Sequence, residues 1–314
     1  MTFAEDLRCC LIFRSSHEAS RQSEDWSPYN DLMPELPEVE TIARGVDSHV
    51  RGDRIVEVWF ASYRKLFKTP ASGQAKGLAG RAVLAVHRTG KHIVCELGSA
   101  GGGPLADGIE TSEAQWIVHL GMTGRLLVTT PDASLAPHTH ARLRLSSGRE
   151  LRFVDPRRFG RLEFRDLSRK AGFRAAGAEP LTITAEAFAR LFHGRQTSIK
   201  AALLNQKLLS GVGNIYADES LFHAGIRPGR SCARLTRAEL ERLRLALKEV
   251  LEEAIRLGGS SVSDYVDADG ERGLFQLEHC VYRRAGLPCR RCQTPIRRIV
   301  LAGRGTHYCP QCQR

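Results

Sequence analysis

Residues 33–41 read MPELPEVET, and the pattern that follows this stretch predicts a helix. The apolar residues recur at spacings of three and four, so they share one helical face. They are Val39, Ile42, Ala43, Val46 and Val50. Pro37 suits the first turn, because the N–H that proline lacks has no partner inside a helix at that position. The first element of the fold is therefore an amphipathic helix that begins near Pro37.

The residues just before this helix include a candidate nucleophile. Met33 precedes a proline, and an initiator methionine in that position is normally removed, so a chain translated from Met33 would begin with Pro34. The ring nitrogen would then be a free secondary amine, with a pKa of about 8 rather than the ~10.4 of lysine. Such an amine attacks an aldehyde-level carbon to give an iminium ion. Glu35 stands beside it as a proton donor or acceptor.

The charge of the chain indicates a polyanionic partner. The 314 residues carry a net charge of +11. Residues 1–32 hold six acids and three arginines, a net of −3, so the remainder carries 11 + 3 = +14. A basic balance of this size points to nucleic acid or to an acidic surface. No apolar run approaches the ~20 residues of a membrane span, and the start does not resemble a secretion signal, so we expect a cytosolic protein.

Strand and helix patterns divide the chain into two halves. Short β-rich runs such as 55–60 and 141–145, separated by turn signals, predict a sandwich or barrel. Residues 98–114 include three consecutive glycines and predict a flexible hairpin loop. Past residue 164 the pattern becomes helical, with short helices predicted at 197–205 and 214–222. A capping box at Thr236 and Glu239 introduces a longer helix that Gly258 and Gly259 end.

Four cysteines near the C-terminus have the spacing of a metal site. The pattern is Cys289-x2-Cys292-x16-Cys309-x2-Cys312, and two Cys-x2-Cys pairs at this separation are typical of tetrahedral Zn2+. Four thiolates leave no open position, so we expect one structural Zn2+. Residues 280–314 hold eight arginines and no acid, which predicts a zinc ribbon that binds phosphate. Arg304 lies in the predicted hairpin tip at residues 302–305.

The stretch at 33–41 strongly resembles the N-terminus of the formamidopyrimidine-DNA glycosylase family, whose mature chains begin Pro-Glu-Leu-Pro-Glu-Val-Glu-Thr. The resemblance continues through the rest of the chain. It implies an α+β multidomain fold, in which an N-terminal helix and an antiparallel β-sandwich precede a helical helix-two-turn-helix domain with a zinc ribbon. The predicted divisions are an extension or misassigned start at 1–32, a catalytic sandwich domain at 33–164, a linker at 165–180, a DNA-binding domain at 181–279 and a zinc finger at 280–314.

The same resemblance implies a bifunctional DNA glycosylase and abasic-site lyase that removes oxidised purines. Pro34 matches the family's nucleophile, with Glu35 protonating the sugar. Lys91, in the motif TGKH, matches an active-site lysine that takes part in proton transfer, and Arg304 matches an arginine that contacts the phosphate at the lesion. The implied partner is double-stranded DNA that contains oxidised bases or abasic sites.

Further positions match DNA contacts of the family. Three side chains would fill the space left by a flipped base, since an apolar wedge and a guanidinium both stack on bases. Four others would contact the DNA, and one of them, in the motif GVGN, follows two glycines that let the backbone approach a phosphate. The void-filling residues are Met122, Arg157 and Phe159, and the others are His138, Arg195, Lys200 and Asn214.

Two positions depart from the family pattern: Ser263 leaves the damage preference open, and Thr139 leaves the local support for His138 open. Ser263 replaces the usual basic residue of the loop that covers the lesion, and Thr139 replaces an aspartate beside His138. One alternative is an endonuclease VIII-like enzyme for oxidised pyrimidines, against which Leu36 and the void-filling residues argue. Another is a DNA-binding protein without catalysis, because Pro34 is an amide nitrogen if residues 1–32 are retained. We expect a monomer associated with the nucleoid.

Overall fold

The computed structural model describes residues 33–100, 111–262 and 265–314. The predictions for residues 1–32, for the glycines of the 98–114 loop and for Ser263 lie outside these ranges. Within them, none of the helices combines the length and the apolar character that crossing a membrane requires.

The first helix, α1 (Leu36–Val50), begins where the sequence predicts. Glu35 and Glu38 form a capping box, in which each side chain accepts a hydrogen bond from the backbone N–H of the other residue. The predicted apolar face, from Val39 to Val50, is buried in the core of the β-sandwich. Leu36 instead packs into the core of the helical domain. The start of α1 therefore lies at the junction of the two domains.

Two four-stranded antiparallel sheets form the sandwich, which confirms the predicted fold class. One sheet has the order β1-β6-β7-β5 and the other β2-β3-β4-β8. The strands are β1 (Ile55–Phe60), β2 (Arg81–Thr89), β3 (His92–Ala100), β4 (Ala114–His119), β5 (Arg125–Thr129), β6 (Thr139–Leu145), β7 (Glu150–Val154) and β8 (Arg161–Asp166). β3 and β4 therefore extend into the predicted loop at 98–114, and β8 extends past residue 164.

One helix of this domain, α2 (Ala71–Leu78), was not predicted. Gly73 and Gly77 weaken its helical signal, since glycine has a low helix propensity. Tertiary contact explains the second glycine, because a Cβ at Gly77 would lie within 2.4 Å of the ring of Phe164 in β8. The close packing of α2 against Phe164 thus requires glycine at position 77, and the sequence of the helix alone does not reveal this contact.

The described residues of the second domain form the helices α3 (Ala185–Phe192), α4 (Ile199–Leu203), α5 (Asn214–Ala224) and α6 (Arg237–Arg256). The Thr236/Glu239 capping box of α6 forms as predicted. The predicted helix at 197–205 is too long, because the Asn205 side chain accepts the backbone N–H of Lys207 and turns the chain. A hairpin of β9 (Arg297–Leu301) and β10 (Arg304–Tyr308) completes the ribbon. Its turn is shorter than the predicted tip, so Arg304 is the first residue of β10.

Candidate active site

Glu35 lies at the junction of the two domains and is almost completely buried. Its Oε1 accepts a hydrogen bond of 3.1 Å from the backbone N–H of Ile215 at the start of α5. Its Oε2 is buried and has no hydrogen-bond partner among the described residues. Burial raises the pKa of Glu35 to about 7, and the positive charge of Lys91 only partly opposes this shift. Glu35 is therefore a carboxyl group that can give or take a proton near neutral pH.

Glu38 holds the start of α1 in place. Its carboxylate accepts hydrogen bonds from the backbone N–H groups of Glu35, at 2.9 Å, and Ser260, at 2.8 Å. It also accepts one from the hydroxyl of Tyr216 on α5. Burial raises the pKa of Glu38, whereas these donors lower it. The network ties the residues next to Pro34 to two separate parts of the helical domain.

The two glycines before α5 contact α1. Gly211 has a φ of +88°, and its carbonyl accepts the backbone N–H of Leu36 at 3.0 Å. A Cβ at Gly211 would lie 2.9 Å from the Leu36 Cβ, and one at Gly213 would lie 2.1 Å from the Glu35 Cδ. Both positions need glycine because α1 packs against them. The approach of this backbone to a phosphate stays a prediction.

A cavity of about 440 Å³ opens at this junction. Its lining brings together three of the four predicted catalytic residues, Glu35, Lys91 and Arg304. The fourth, Pro34, is buried between Met33 and Glu35, and both of these neighbours line the cavity. Residues from the sandwich, the helical domain and the ribbon thus meet in one place.

Lys91 enters the cavity from the tight turn between β2 and β3. Burial lowers the pKa of its ammonium group, and Glu35 and Glu38 oppose that shift. The guanidinium of Arg304 lowers it further. A lysine whose pKa is depressed is more readily neutral, so Lys91 can accept a proton during a reaction in this cavity.

Two histidines and a phenylalanine in the cavity were not singled out from the sequence. The ring centroid of His92 lies 4.8 Å from that of His119 and 4.6 Å from that of Phe173. Burial lowers the pKa of His92 to about 3 and of His119 to about 4, so both are neutral at pH 7. His119 Nδ1 accepts the backbone N–H of Gly121, so its proton is on Nε2. His92 lies in the motif TGKH beside Lys91, and His119 lies three residues before Met122, but nothing local marked Phe173.

Lys200 is completely buried, and its predicted phosphate contact stays a prediction. Its Nζ lies 2.7 Å from Asp218 Oδ1. It also donates to the Gly305 carbonyl at 2.9 Å and to Thr306 Oγ1 at 2.8 Å. Because its charge is compensated inside the protein, Lys200 joins the helical domain to the ribbon and does not face solvent.

Asn214 shares this role in part. Its Nδ2 donates to the same Gly305 carbonyl at 3.0 Å, and the side chain lines the cavity. Lys200 and Asn214 therefore both hold Gly305, the residue that follows Arg304 in β10. A phosphate contact by Asn214 stays a prediction.

The predicted void-filling residues lie on two loops that contact each other. The buried Asp155 accepts hydrogen bonds from the Thr123 hydroxyl at 2.7 Å and the Gly160 N–H at 2.8 Å. Thr123 adjoins Met122, and the Arg157 guanidinium lies 4.9 Å from the centre of the Phe159 ring. Phe159 is 47% exposed. An exposed aromatic ring beside a guanidinium has the chemistry of a base-stacking surface.

His138 and Arg195 are both exposed. His138 has a φ of +65° in the turn before β6, and Thr139 closes this turn by donating its hydroxyl to the Ala136 carbonyl at 2.7 Å. Arg195 donates through Nε to the Leu191 carbonyl. Their DNA contacts stay predictions.

The four cysteines of the ribbon lie together as the sequence predicts. Cys289 Sγ is 3.9 Å from Cys312 Sγ, and Cys292 Sγ is 3.4 Å from Cys309 Sγ. The edge of a tetrahedron of thiolates around Zn2+ is about 3.8 Å, given Zn–S bonds of about 2.3 Å. These four residues therefore fit one structural Zn2+, which stabilises the ribbon that carries Arg304.

Three family models match the chain. They are the formamidopyrimidine-DNA glycosylase N-terminal domain at residues 33–162, the helix-two-turn-helix domain of the same family at 176–266, and a zinc finger found in these glycosylases and in isoleucyl-tRNA synthetase at 286–314. Formamidopyrimidine-DNA glycosylases from Solibacter usitatus and Thioalkalivibrio sulfidiphilus share 45% and 43% sequence identity with this chain. Each alignment spans 90% of this chain and 100% of the relative.

Solved structures of the same family are similar to this chain in fold and in sequence. The Lactococcus lactis glycosylase in complex with DNA containing an abasic site has a TM-score of 0.76 and 32% identity, covering 89% of this chain and 99% of that one. The MutM (Fpg) protein from Thermus thermophilus has a TM-score of 0.74 and 41% identity, covering 89% and 98%. Fold and site thus define a DNA glycosylase of the helix-two-turn-helix class with a zinc ribbon. The chain belongs to the formamidopyrimidine-DNA glycosylase family, and it is a glycosylase and abasic-site lyase of base excision repair.

Proposed function

We propose that this enzyme removes oxidised purines, the formamidopyrimidines and 8-oxoguanine, from double-stranded DNA and then cleaves the strand. The observation that carries the proposal is the cavity at the domain junction, where Glu35, Lys91 and Arg304 meet beside Pro34. Met33 occupies part of the lining and is 39% exposed. Its removal would free the Pro34 amine and also enlarge the space for the sugar.

In the proposed first step, the lone pair of the Pro34 nitrogen attacks C1′ of the damaged nucleotide. A bond forms between nitrogen and C1′, and the bond from C1′ to the base breaks, so the base leaves with the electron pair and takes up a proton. Glu35 protonates the sugar ring oxygen as the ring opens, which leaves an iminium ion on Pro34. A Glu35 pKa of about 7 suits a proton donor at neutral pH.

The iminium ion then acidifies the C2′ proton, whose loss expels the 3′ phosphate by β-elimination. A second elimination expels the 5′ phosphate, and water releases the sugar fragment from Pro34. Lys91 is the proposed proton acceptor, because its pKa is depressed. Arg304 is the proposed phosphate ligand, because Lys200 and Asn214 fix the next residue of its strand. Zn2+ supplies no open coordination position and supports Arg304 only through the ribbon.

DNA binding is proposed to bend the duplex and turn the damaged nucleotide out of the stack, which costs a few kcal/mol. Met122, Arg157 and Phe159 would fill the space that it leaves. His138, Arg195 and Asn214 would contact the DNA around it. The enzyme would then act on the nucleoid, in the cytoplasm.

Borohydride trapping on an 8-oxoguanine duplex tests this proposal, because borohydride reduces an iminium ion to a permanent covalent bond. Three forms with N-termini confirmed by mass should be compared. They are the chain that begins at Pro34, the same chain with Met33 retained by inhibiting methionine aminopeptidase, and the 314-residue chain. We expect an adduct only with the first form.

Two outcomes would contradict this expectation. An adduct from the 314-residue chain would identify a different amine as the nucleophile. Duplex binding without an adduct from any form would leave a DNA-binding protein without amine catalysis. A matched duplex that contains an oxidised pyrimidine tests the lesion preference. We expect less adduct from it than from the 8-oxoguanine duplex, whereas an endonuclease VIII-like enzyme would give more.

A further inference from the structure

A second group of metal-ligating side chains lies outside both the cavity and the four-cysteine site of the ribbon. Glu219 and His223 are four residues apart on α5, so they lie on the same face of the helix. Cys280, in the segment that leads into the ribbon, faces them. The Cys280 Sγ is 3.8 Å from the His223 Nε2, and all three donor atoms lie within 4.8 Å of one another.

The distance between the Cys280 sulfur and the His223 nitrogen is close to that in a bound zinc site. With Zn–S and Zn–N bonds of about 2.3 and 2.05 Å, a tetrahedral site separates sulfur and nitrogen by about 3.6 Å. The observed distance is within a few tenths of an ångström of this value. A thiol, an imidazole and a carboxylate are also the three ligand types that zinc accepts in proteins.

The carboxylate of this group is held rigidly. Glu219 is almost completely buried, and its Oε1 accepts the backbone N–H groups of Val281, at 3.0 Å, and Tyr282, at 2.7 Å. Among the described residues, its Oε2 accepts a single hydrogen bond, from the N–H of Cys280 at 2.9 Å, and so keeps a lone pair for another partner. The same residue thus positions the backbone of Cys280 and offers a ligand atom next to it.

An unpaired carboxylate lies beside this group. The three residues line an open cavity of about 290 Å³ together with three more carboxylates and Arg290, which lies 3.8 Å from Glu278. Glu253 is paired with Arg256, whereas Glu249 makes no ion pair within the described part of the chain.

We propose that Glu219, His223 and Cys280 form a second zinc site, separate from the structural one, whose fourth position is taken by the Glu249 carboxylate or by water. The thiol releases its proton to solvent as the Cys280 sulfur binds the metal. Arg291, whose Nη2 is 3.4 Å from the His223 Nδ1, turns away so that this nitrogen can carry the imidazole proton. The site then links α5 to the segment that leads into the ribbon.

The test is the zinc content of the full, untagged chain after equilibration with excess Zn2+ and removal of unbound metal. We expect two zinc ions per wild-type chain and one in each of the variants Cys280→Ser and His223→Ala. His193→Ala, which removes another exposed histidine of the helical domain, should retain two. Replacing Zn2+ with Co2+ gives a second readout, since Cys280→Ser should lose the absorption of a site with one thiolate.

One zinc ion in the wild-type chain would overturn the proposal, as would two in both Cys280→Ser and His223→Ala. His223 is exposed, so its replacement by alanine leaves the core unchanged and keeps the test valid if the cysteine variant misfolds. The result does not depend on the proposed reaction, because the readout is metal content and not activity.

Discussion

Glu35 shows how strongly one residue depends on its surroundings. An exposed glutamate would be ionised at pH 7, but here burial against Gly213 raises the pKa to about 7. In a chain that begins at Pro34, the amine beside Glu35 would carry a positive charge when protonated and would lower this pKa. The protonation state of Glu35 is therefore coupled to the N-terminus, which is useful for a residue that acts in turn as acid and base.

The first prediction concerns the pH dependence of folding in the 314-residue chain. The pKa of Glu35 is higher in the folded chain, at about 7, than in the unfolded chain, at about 4.5. Its contribution to stability is therefore complete below pH 4.5 and is lost as the pH rises to 7. The loss is about 3 kcal/mol. Denaturant unfolding at pH 5 and pH 8 should show it as a difference between the wild type and Glu35→Gln, because His92 and His119 gain stability over the same pH range in both proteins. An equal pH dependence in both proteins would contradict it.

The second prediction concerns the exposed ring of Phe159. Phe159→Ala should lower the free energy of unfolding by only about 1 kcal/mol, because about half of the side chain is exposed. Excision from an intact duplex should fall about 10- to 100-fold, since base stacking on an aromatic ring contributes about 1–3 kcal/mol. Single-turnover rates measure this. Leu245→Ala, which removes an equally exposed side chain on α6, should leave the rate unchanged, and a similar loss there would contradict a stacking role.

At the scale of elements, the buried Lys200 connects α4 to α5 and β10. Lys200→Met should destabilise the protein by about 3–5 kcal/mol, because it leaves Asp218 buried without its positive partner. Lys207→Met removes an exposed lysine nearby and should cost less than about 0.5 kcal/mol. Thermal unfolding compares the two variants.

The salt dependence of DNA binding distinguishes this role from a phosphate contact. A lysine that binds phosphate contributes about −0.9 to the slope of log affinity against log salt. Lys200→Met should leave this slope unchanged, because its charge is already compensated within the protein. A stable variant with a shallower slope would instead support the contact with DNA.

At the scale of the whole molecule, the ribbon provides the third side of the active site. Cys292→Ser should remove the structural Zn2+ and unfold the ribbon, since a zinc site of this kind contributes several kcal/mol to the folding of a small module. The variant should form no borohydride adduct, because Arg304 and the contact of Gly305 with Lys200 would be lost. The unfolding transition of the sandwich should persist, and normal adduct formation would contradict the role of the ribbon.

The sequence predicted those parts of the molecule whose causes are local. The start of α1, the capping box of α6 and the four-cysteine site each depend on residues close together in the chain. The burial of Lys200 could not be predicted, because its partners at Gly305 and Thr306 lie 105 and 106 residues away. The requirement for glycine at position 213 could not be predicted either, because it comes from contact with the Glu35 side chain, which is distant in the sequence.

The junction that forms the cavity also has a consequence for protein synthesis. Glu35 leaves the ribosome early, whereas the α5 backbone that binds it follows 180 residues later and Arg304 later still. A half-made or prematurely terminated chain lacks the α5 backbone and Arg304, so it cannot assemble this cavity. Incomplete copies of an enzyme that breaks DNA strands therefore lack the site that would break them.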